Sequence, residues 1–498
     1  MADAAVTEQE RDAQRKYWLE HTPDKPTVET MMLDSKAADI DRLERPEVMA
    51  LLGSVKGKRI LELGAGIGRF TGELVRAGAA HVTALDFMEA SIEENKRLNG
   101  HNPNVDFRVG DVTELRLPDA SYDVVFTNWL LMYLGDKEVQ ALANSMLRWI
   151  TPGGVIFFRE SCFRQSGDKP RKGNPTHYRN PREYFRMFDA AAAEEPNNGG
   201  HARLELCFCK CVDTYVRLKR NQNQICWRWV KVVEPTVGAS PSFRHFLDAQ
   251  QYSEAGVAQY EAIYGDGYIS CGGAAVTRDL AAKLELQAGQ RVLDVGCGTG
   301  GSAYDISETY GVHVHGLDLS VNCLLAALER ASTRSGDVTF EVADVATHSL
   351  PEASFDAVHC RDALLHVSDK AGVLARFASW LRPGGRLLIT DYCTPSTHIT
   401  SAMAQYVAGR KYSLLSAEQY GQAVAAAGFE EVEVKDLTDE FARHLQRELE
   451  GLHEQKDSFT ARFGAEAFKA ASDNWVSKLA RAYAGQQRWV LITARKQL

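Results

Sequence analysis

The 498-residue chain has no run approaching the roughly 20 apolar residues that a membrane-spanning helix requires. Its opening stretch, MADAAVTEQERDAQRKYW, lacks the apolar core of a secretory signal and mixes both charges, so the cytosol is the expected compartment. Excess positive charge is missing too. The formal net charge is −9, which argues against a broad nucleic-acid or anionic-membrane surface, because phosphate backbones demand clustered cations. Any anionic ligand should then be small and met by a local basic pocket. Ten cysteines are present without the CxxC spacing usual for zinc. Cys207, Cys209 and Cys211 alternate in LCFCKC and would share one face of a strand, three thiols without a fourth ligand. Packed thiols in a reducing compartment are the expectation, and no metal is expected.

What the chain does have is a copy of itself. KRILELGAGIGRFTGEL followed by HVTALDFMEASIEENKR is answered by QRVLDVGCGTGGSAYDI followed by VHVHGLDLSVNCLLAALER. Four landmark pairs, Glu62/Asp294, Asp86/Asp318, Asp111/Asp344 and Pro152/Pro383, lie 232, 232, 233 and 231 residues apart. Duplication of one α/β unit explains landmarks that stay in step. Each copy reads as strand, glycine-rich turn, helix, strand ending in Asp, and helix, which predicts a doubly wound, mostly parallel sheet. Residues 194–234 alternate apolar and cationic side chains and should close the first sheet with antiparallel strands. The domains are expected at 1–234 and 243–498, joined by a Pro/Gly/Ser-rich linker over 235–242.

A glycine-rich turn after the first strand lets a cofactor approach the backbone, but alone it is weak evidence. Gly296, Gly298 and Gly301 satisfy GxGxxG, which keeps a nicotinamide or flavin enzyme as the rival. Placement of the acids favours S-adenosylmethionine. Glu62 and Asp294 end strand one, where a carboxylate would repel a pyrophosphate but suits an ammonium and a sulfonium. Asp86 and Asp318 end strand two, positioned for ribose hydroxyls, and Asp111 and Asp344 follow strand three, positioned for an adenine amino group. Asn128 and Arg361 end strand four and could close the pocket.

Before the second cofactor strand lies FLDAQQYSEAGVAQYEAIYGDGYISCGG, amphipathic and aromatic, well placed to fold over the cofactor as a lid. Further on, Tyr406 and Arg410 share a helix face at i, i+4, with Tyr412 beside them. Arginine can clamp a phosphate in a bidentate manner, tyrosine hydroxyls can donate to it, and the rings could cage a methylated ammonium.

These strings, with LDVGCGTGG, RDALLHVSDK, LRPGGRLLITDYC and RKYSLLSAEQY, resemble the phosphoethanolamine N-methyltransferases. YWLEH, MMLDSKAADIDRLERPEV, NWLLMYLGDKEV, FFRESCF, NPTHYR and NQNQICW resemble the first domain of the plant-type, two-domain members. The likeness spans nearly the whole chain and is weakest in the Ala- and Asn/Gly-rich stretch at 190–200. It implies two tandem Rossmann-like, class I S-adenosylmethionine-dependent methyltransferase domains. It also implies three methylations from phosphoethanolamine to phosphocholine, the first in the first domain and two in the second.

By matching position the resemblance makes Tyr252 and His366 the catalytic dyad. Gln251, Tyr260, Ser270 and Asp362 become neighbouring site positions, and Tyr392, Tyr406, Arg410, Tyr412 and Lys478 the phosphate-binding set. The expected cofactor positions are Gly64, Arg69, Asp86, Asp111, Val112 and Asn128 in one half. In the other they are Ser270, Asp294, Gly296, Asp318, Asp344, Val345 and Arg361. Aligning TNWLLMYLGD with CRDALLHVSD puts Tyr133 at the position of His366 and Trp129 at that of Asp362, so the first half lacks the histidine. Its substrate candidates are Ser161, Ser166, Gly167 and Arg171, with Tyr178 close behind, and Tyr17 could be its lid residue. A monomer acting on small phosphobases is expected, without nucleic-acid or membrane partners. The alternatives are a methyltransferase for another small metabolite, such as glycine or a sterol, and a pair of domains of which one only scaffolds the other.

Overall fold

A computed structural model describes residues 2–21, 26–169, 173, 175–194, 200–234, 242–334 and 336–498. The chain divides into two compact units, Met1–Ser240 and Pro241–Leu498. The expected linker lies outside the described residues except for Ser242, whose Oγ accepts from His245 N and so caps the helix Phe243–Phe246 of the second unit.

In the first unit, strands β1 (Arg59–Leu63), β2 (His81–Asp86), β3 (Val105–Val109), β4 (Tyr122–Asn128) and β5 (Ile150–Ser161) alternate with helices. β6 (Ala192–Glu194), β7 (His201–Cys211) and β8 (Gln224–Glu234) complete it. The sheet order is β7-β8-β5-β4-β1-β2-β3, parallel from β5 through β3 and antiparallel at β5/β8 and β7/β8, with β6 paired to β7. Residues 60–63 and 124–127 are all buried, because a parallel strand between two helical layers is covered on both faces.

The second unit repeats the plan with β9 (Arg291–Val295), β10 (His313–Asp318), β11 (Val338–Val342), β12 (Phe355–Arg361) and β13 (Leu381–Thr394). β14 (Leu415–Ser416), β15 (Phe429–Asp436) and β16 (Arg488–Lys496) follow. Its order is β15-β16-β13-β12-β9-β10-β11, with β16 antiparallel to both neighbours and β14 paired to β13. In each unit the chain reverses direction across the sheet between the first and fourth strands, and in such sheets ligands bind at the carboxyl ends beside that point.

The LCFCKC trio does not keep one face. The register slips between Leu206 and Phe208, so Cys209 and Cys211 are buried while Cys207 is only half-buried. Among the described residues no group of three or more His, Cys, Asp or Glu is arranged to hold a metal ion, and no helix is long and apolar enough to cross a membrane.

Candidate active sites

Each unit opens a cavity at the carboxyl ends of its parallel strands, lined by that unit's residues alone. The setting of the acid that ends the second strand is duplicated bond for bond. In the first unit Asp86 accepts from Gly66 N and Met88 N, at 2.8 and 2.9 Å. In the second, Asp318 accepts from Gly298 N and Ser320 N, both at 2.8 Å. Burial raises both carboxyls, Asp318 to about 6, against the opposing pull of these amides. The turns require glycine: Gly296 has φ +70°, and a Cβ there would lie 2.2 Å from that of Ala363.

The acids that end strand one are held differently. Glu62 accepts from Thr71 Oγ1 at 2.6 Å, which in turn accepts from Asn95, and burial pushes the carboxyl up to about 8. Asp294 Oδ1 instead faces Nδ1 of the fully buried His359 at 2.7 Å, on the neighbouring strand. Asp294 Oδ2 and Asn128 Oδ1 are buried and have no hydrogen-bond partner among the described residues. Orphaned acceptors of this kind are costly unless a ligand donates to them. Asp111 clasps Thr113 and meets Arg11 Nε at 3.4 Å, while Asp344 accepts from Ala346 N. Gly64, Val112, Ser270 and Val345 line the cavities as expected positions. Arg69 and Arg361 also line them, but their guanidinium groups are largely engaged. Arg69 binds Asp41 and Glu44, and Arg361 binds the carbonyls of Cys271 and Gly273 and the hydroxyl of Thr277.

The substrate end of the second cavity, about 270 Å³ in volume, is aromatic and cationic. The segment read as a lid forms the helix Phe243–Phe246, a wider turn Leu247–Gln251 and the helix Glu254–Tyr264. Between them Tyr252 Oη lies 2.9 Å from His366 Nε2. His366 ends a short turn, Leu364–His366, and is packed among the rings of Phe243, Tyr252 and Tyr412. Burial first, then the charges of Lys370 and Arg410, push its pKa down to about 3, so the ring is neutral. Gln251 donates to Arg410 O at 2.7 Å and fixes the approach of the helix Ser401–Arg410, on which the Arg410 guanidinium lies 5.9 Å from the Tyr406 ring. Lys478, buried on the distant helix Ala465–Tyr483, donates to Tyr392 Oη at 2.7 Å. Tyr260, Tyr406 and Tyr412 join the same wall, with Tyr264 and Trp475, two residues that sequence reading missed.

Asp362 follows β12 in a left-handed conformation, φ +50°, its amide bonded to Thr390 O. Oδ1 accepts from Thr390 Oγ1 and Trp489 Nε1, and Oδ2 is buried and unpartnered among the described residues. Trp129 follows β4 in the same way, φ +59°, its amide bonded to Arg159 O.

The first cavity is smaller, about 130 Å³. Ser161, Ser166 and Gly167 line one corner: the two hydroxyls lie 3.1 Å apart, and Gln224 Nε2 donates to Ser166 Oγ at 2.8 Å. Arg171 lies outside the described residues, and Tyr178 is not part of the lining. Tyr133 does line the cavity, but Trp18 takes the place expected of the buried Tyr17 and packs its ring 5.5 Å from that of Tyr133. Arg11, Gln14 and Gln224 were also missed. They arrive from the polar helix Ala2–His21 and from the start of β8, whose local patterns resemble ordinary surface and sheet.

The family described as "Methyltransferase domain" matches residues 60–154 and, by a second model of the same description, 273–434. The chain is 48% identical over 494 residues to the phosphoethanolamine N-methyltransferase of Triticum aestivum, covering 99% of this chain and 97% of that one. It is 47% identical to phosphoethanolamine N-methyltransferase 1 of Arabidopsis thaliana, covering 99% and 100%. Among solved structures it resembles phosphoethanolamine N-methyltransferase 2 of Haemonchus contortus in complex with phosphomonomethylethanolamine and S-adenosylhomocysteine. That likeness has a TM-score of 0.72 at 26% identity, over 92% of this chain and 99% of that one.

Proposed function

The chain belongs to the phosphoethanolamine N-methyltransferases, and we propose from its two unlike pockets that the halves divide one methylation series between them. It is an S-adenosylmethionine-dependent enzyme that takes phosphoethanolamine through its mono- and dimethyl forms to phosphocholine. In our reading residues 1–234 perform the first methylation and residues 243–498 the second and third. The observation that carries this is the Tyr252–His366 pair at 2.9 Å, whose histidine is replaced by Tyr133 in the first unit.

S-adenosylmethionine, when bound, supplies an electrophilic methyl group. The orphaned Asn128 Oδ1, in the lining of the first cavity, suits an N–H donor, with Asp86 and Asp318 for the ribose and Asp111 and Asp344 for the adenine, whereas Asp294 stands behind the lining of the second cavity. The chain's remaining work is on the amine, which must lose its proton and present a lone pair on the axis of transfer. In the second unit Arg410, Lys478, Tyr392, Tyr406 and Tyr412 anchor the phosphate. Its arrival neutralises Arg410, one of the charges that depress His366, and so raises the imidazole's proton affinity as the amine comes within reach. With Tyr252 Oη accepting from His366 Nε2–H, Nδ1, buried and without a hydrogen-bond partner among the described residues, takes the proton, and Tyr252 closes the lid over the pair, excluding water. In the first unit Ser161, Ser166 and Gly167 line the corner where we place the phosphate, and we assign Arg171 to it from sequence position alone. We further propose that the enzyme acts as a monomer, since among the described residues each cavity is lined within its own unit.

Full-length Asp86→Ala and Asp318→Ala variants, each disabling one cofactor site, test the division when supplied with the monomethyl substrate. The Asp86 variant should form phosphocholine and the Asp318 variant should not. The opposite result overturns it.

A further inference from the structure

Trp129 and Asp362 occupy one backbone position in two copies. Both follow the fourth parallel strand, both are left-handed, and each amide donates to the carbonyl of the facing strand residue, Arg159 at 2.9 Å and Thr390 at 2.8 Å. Non-glycine residues adopt this conformation at a cost, and its retention in both units fixes where the side chain emerges. Only the side chain differs. Asp362 is short, lines the larger cavity and keeps Oδ2 buried without a hydrogen-bond partner among the described residues. Trp129 sends an indole into the cavity of about half that volume.

That indole is clamped. The Arg159 guanidinium sits 4.0 Å from its ring and that of Arg69 5.3 Å, while Nε1 donates to Gln224 Oε1 at 2.7 Å. Arg159 is itself immobilised, fully buried and paired with the fully buried Glu44. Gln224 in turn binds Ser166, so Trp129 borders the corner where the substrate phosphate is placed. The clamped indole therefore takes up room in the first cavity beside that corner.

We infer that Trp129 is the specificity-determining residue that stops the first site after one methylation, by filling the space a methylated amine would occupy. This rests on the division of labour proposed above. The inference separates the two sites by volume at one residue, independently of the histidine.

The test uses the full chain with the second site disabled by Asp318→Ala, supplied with phosphoethanolamine or its monomethyl form, and products resolved by mass spectrometry. With Trp129 intact the monomethyl product should accumulate and serve as no substrate. Trp129→Leu and Trp129→Ala should turn over the monomethyl substrate and raise the ratio of dimethyl to monomethyl product about tenfold or more, the scale at which a pocket discriminates one carbon. Trp129→Phe, which keeps the plug, should stay close to wild type in that ratio. Dimethyl product from the Asp318→Ala background itself would defeat the division of labour instead. An unchanged ratio in the Leu and Ala variants, or loss of all turnover in every variant, overturns the inference, since a plug excludes product and does not drive the reaction.

Discussion

Nε1 of Trp489 donates to Asp362 Oδ1 at 2.7 Å in the second unit, and Nε1 of Trp129 donates to Gln224 Oε1 at the same distance in the first. The two bonds join the same pair of elements, the residue after the fourth strand and the antiparallel strand beside the fifth, with the tryptophan moved from one to the other. The exchange preserves the tie across the sheet and reverses what faces the cavity. A carboxylate adds negative charge to the cavity wall of the second unit, and an indole takes up room in that of the first. Divergence between the halves is thus concentrated in the substrate wall.

The dyad gives the most direct prediction. His366→Ala should lower conversion of the mono- and dimethyl substrates by about 10²–10⁴-fold, the range for a lost acid–base group. Formation of the monomethyl product should be largely unaffected, because the first unit carries Tyr133 there. Mass spectrometry of products from phosphoethanolamine decides it, and full conversion to phosphocholine would contradict the assignment.

Arg410→Gln and Lys478→Met should each raise KM for the methylated phosphobases by roughly 10-fold or more. A charge-assisted hydrogen bond contributes about 1.5–3 kcal/mol. Binding of S-adenosylhomocysteine to the second site should stay within about twofold of wild type, since neither side chain faces its acids. Calorimetry with each ligand separates the two effects. A change in nucleoside affinity equal to that in substrate affinity would place these cations in the wrong subsite.

The mostly parallel sheets, the duplication and the positions of the acids were legible because they follow short-range rules: buried parallel strands, glycine turns and acids at strand ends. Substrate walls were less so. Lys478 meets Tyr392 from 86 residues away, and Gln224 meets Trp129 from 95 away, so only tertiary packing brings them together. Arg361 was expected to close the cofactor pocket, yet most of its donors hold the loop at Cys271 and Gly273, a pairing that strand-end position does not reveal. Trp18 rather than Tyr17 faces the first cavity because helix phase, not distance from Glu62, decides which neighbour points inward.

Glu62 makes the first site pH-sensitive. Burial raises its folded pKa from 4.5 to about 8, so its contribution to stability is fully present below about 4.5 and is lost as pH rises through about 8. A cationic ligand needs the ionised form. Affinity of the first site for S-adenosylhomocysteine should therefore tighten from pH 6 to pH 8, while the ligand-free unit loses thermal stability over the same interval. Glu62→Gln should flatten both trends. A dependence that survives the substitution would assign it to another group.

The ion pair behind Trp129 yields a stability prediction. Glu44 and Arg159 are both fully buried, with Arg159 Nη1 2.5 Å from Glu44 Oε2. Burial alone would raise Glu44, but Arg159 and Arg69 hold it below the ordinary carboxylate value, so its contribution is present above about pH 4.5 and lost as pH falls further. Removing one member strands a buried charge, and Glu44→Gln should destabilise the first unit by about 3–5 kcal/mol at neutral pH. Replacing both, Glu44→Leu with Arg159→Met, should recover much of that loss, because the desolvation penalty goes with the charges. The same double variant removes the nearer of two cations from the Trp129 ring and leaves Arg69 and the Gln224 bond, so denaturant unfolding should show recovered stability while the indole, held less firmly, lets some dimethyl product form at the first site. Recovery of stability without any change in product would separate the clamp's structural role from control of specificity.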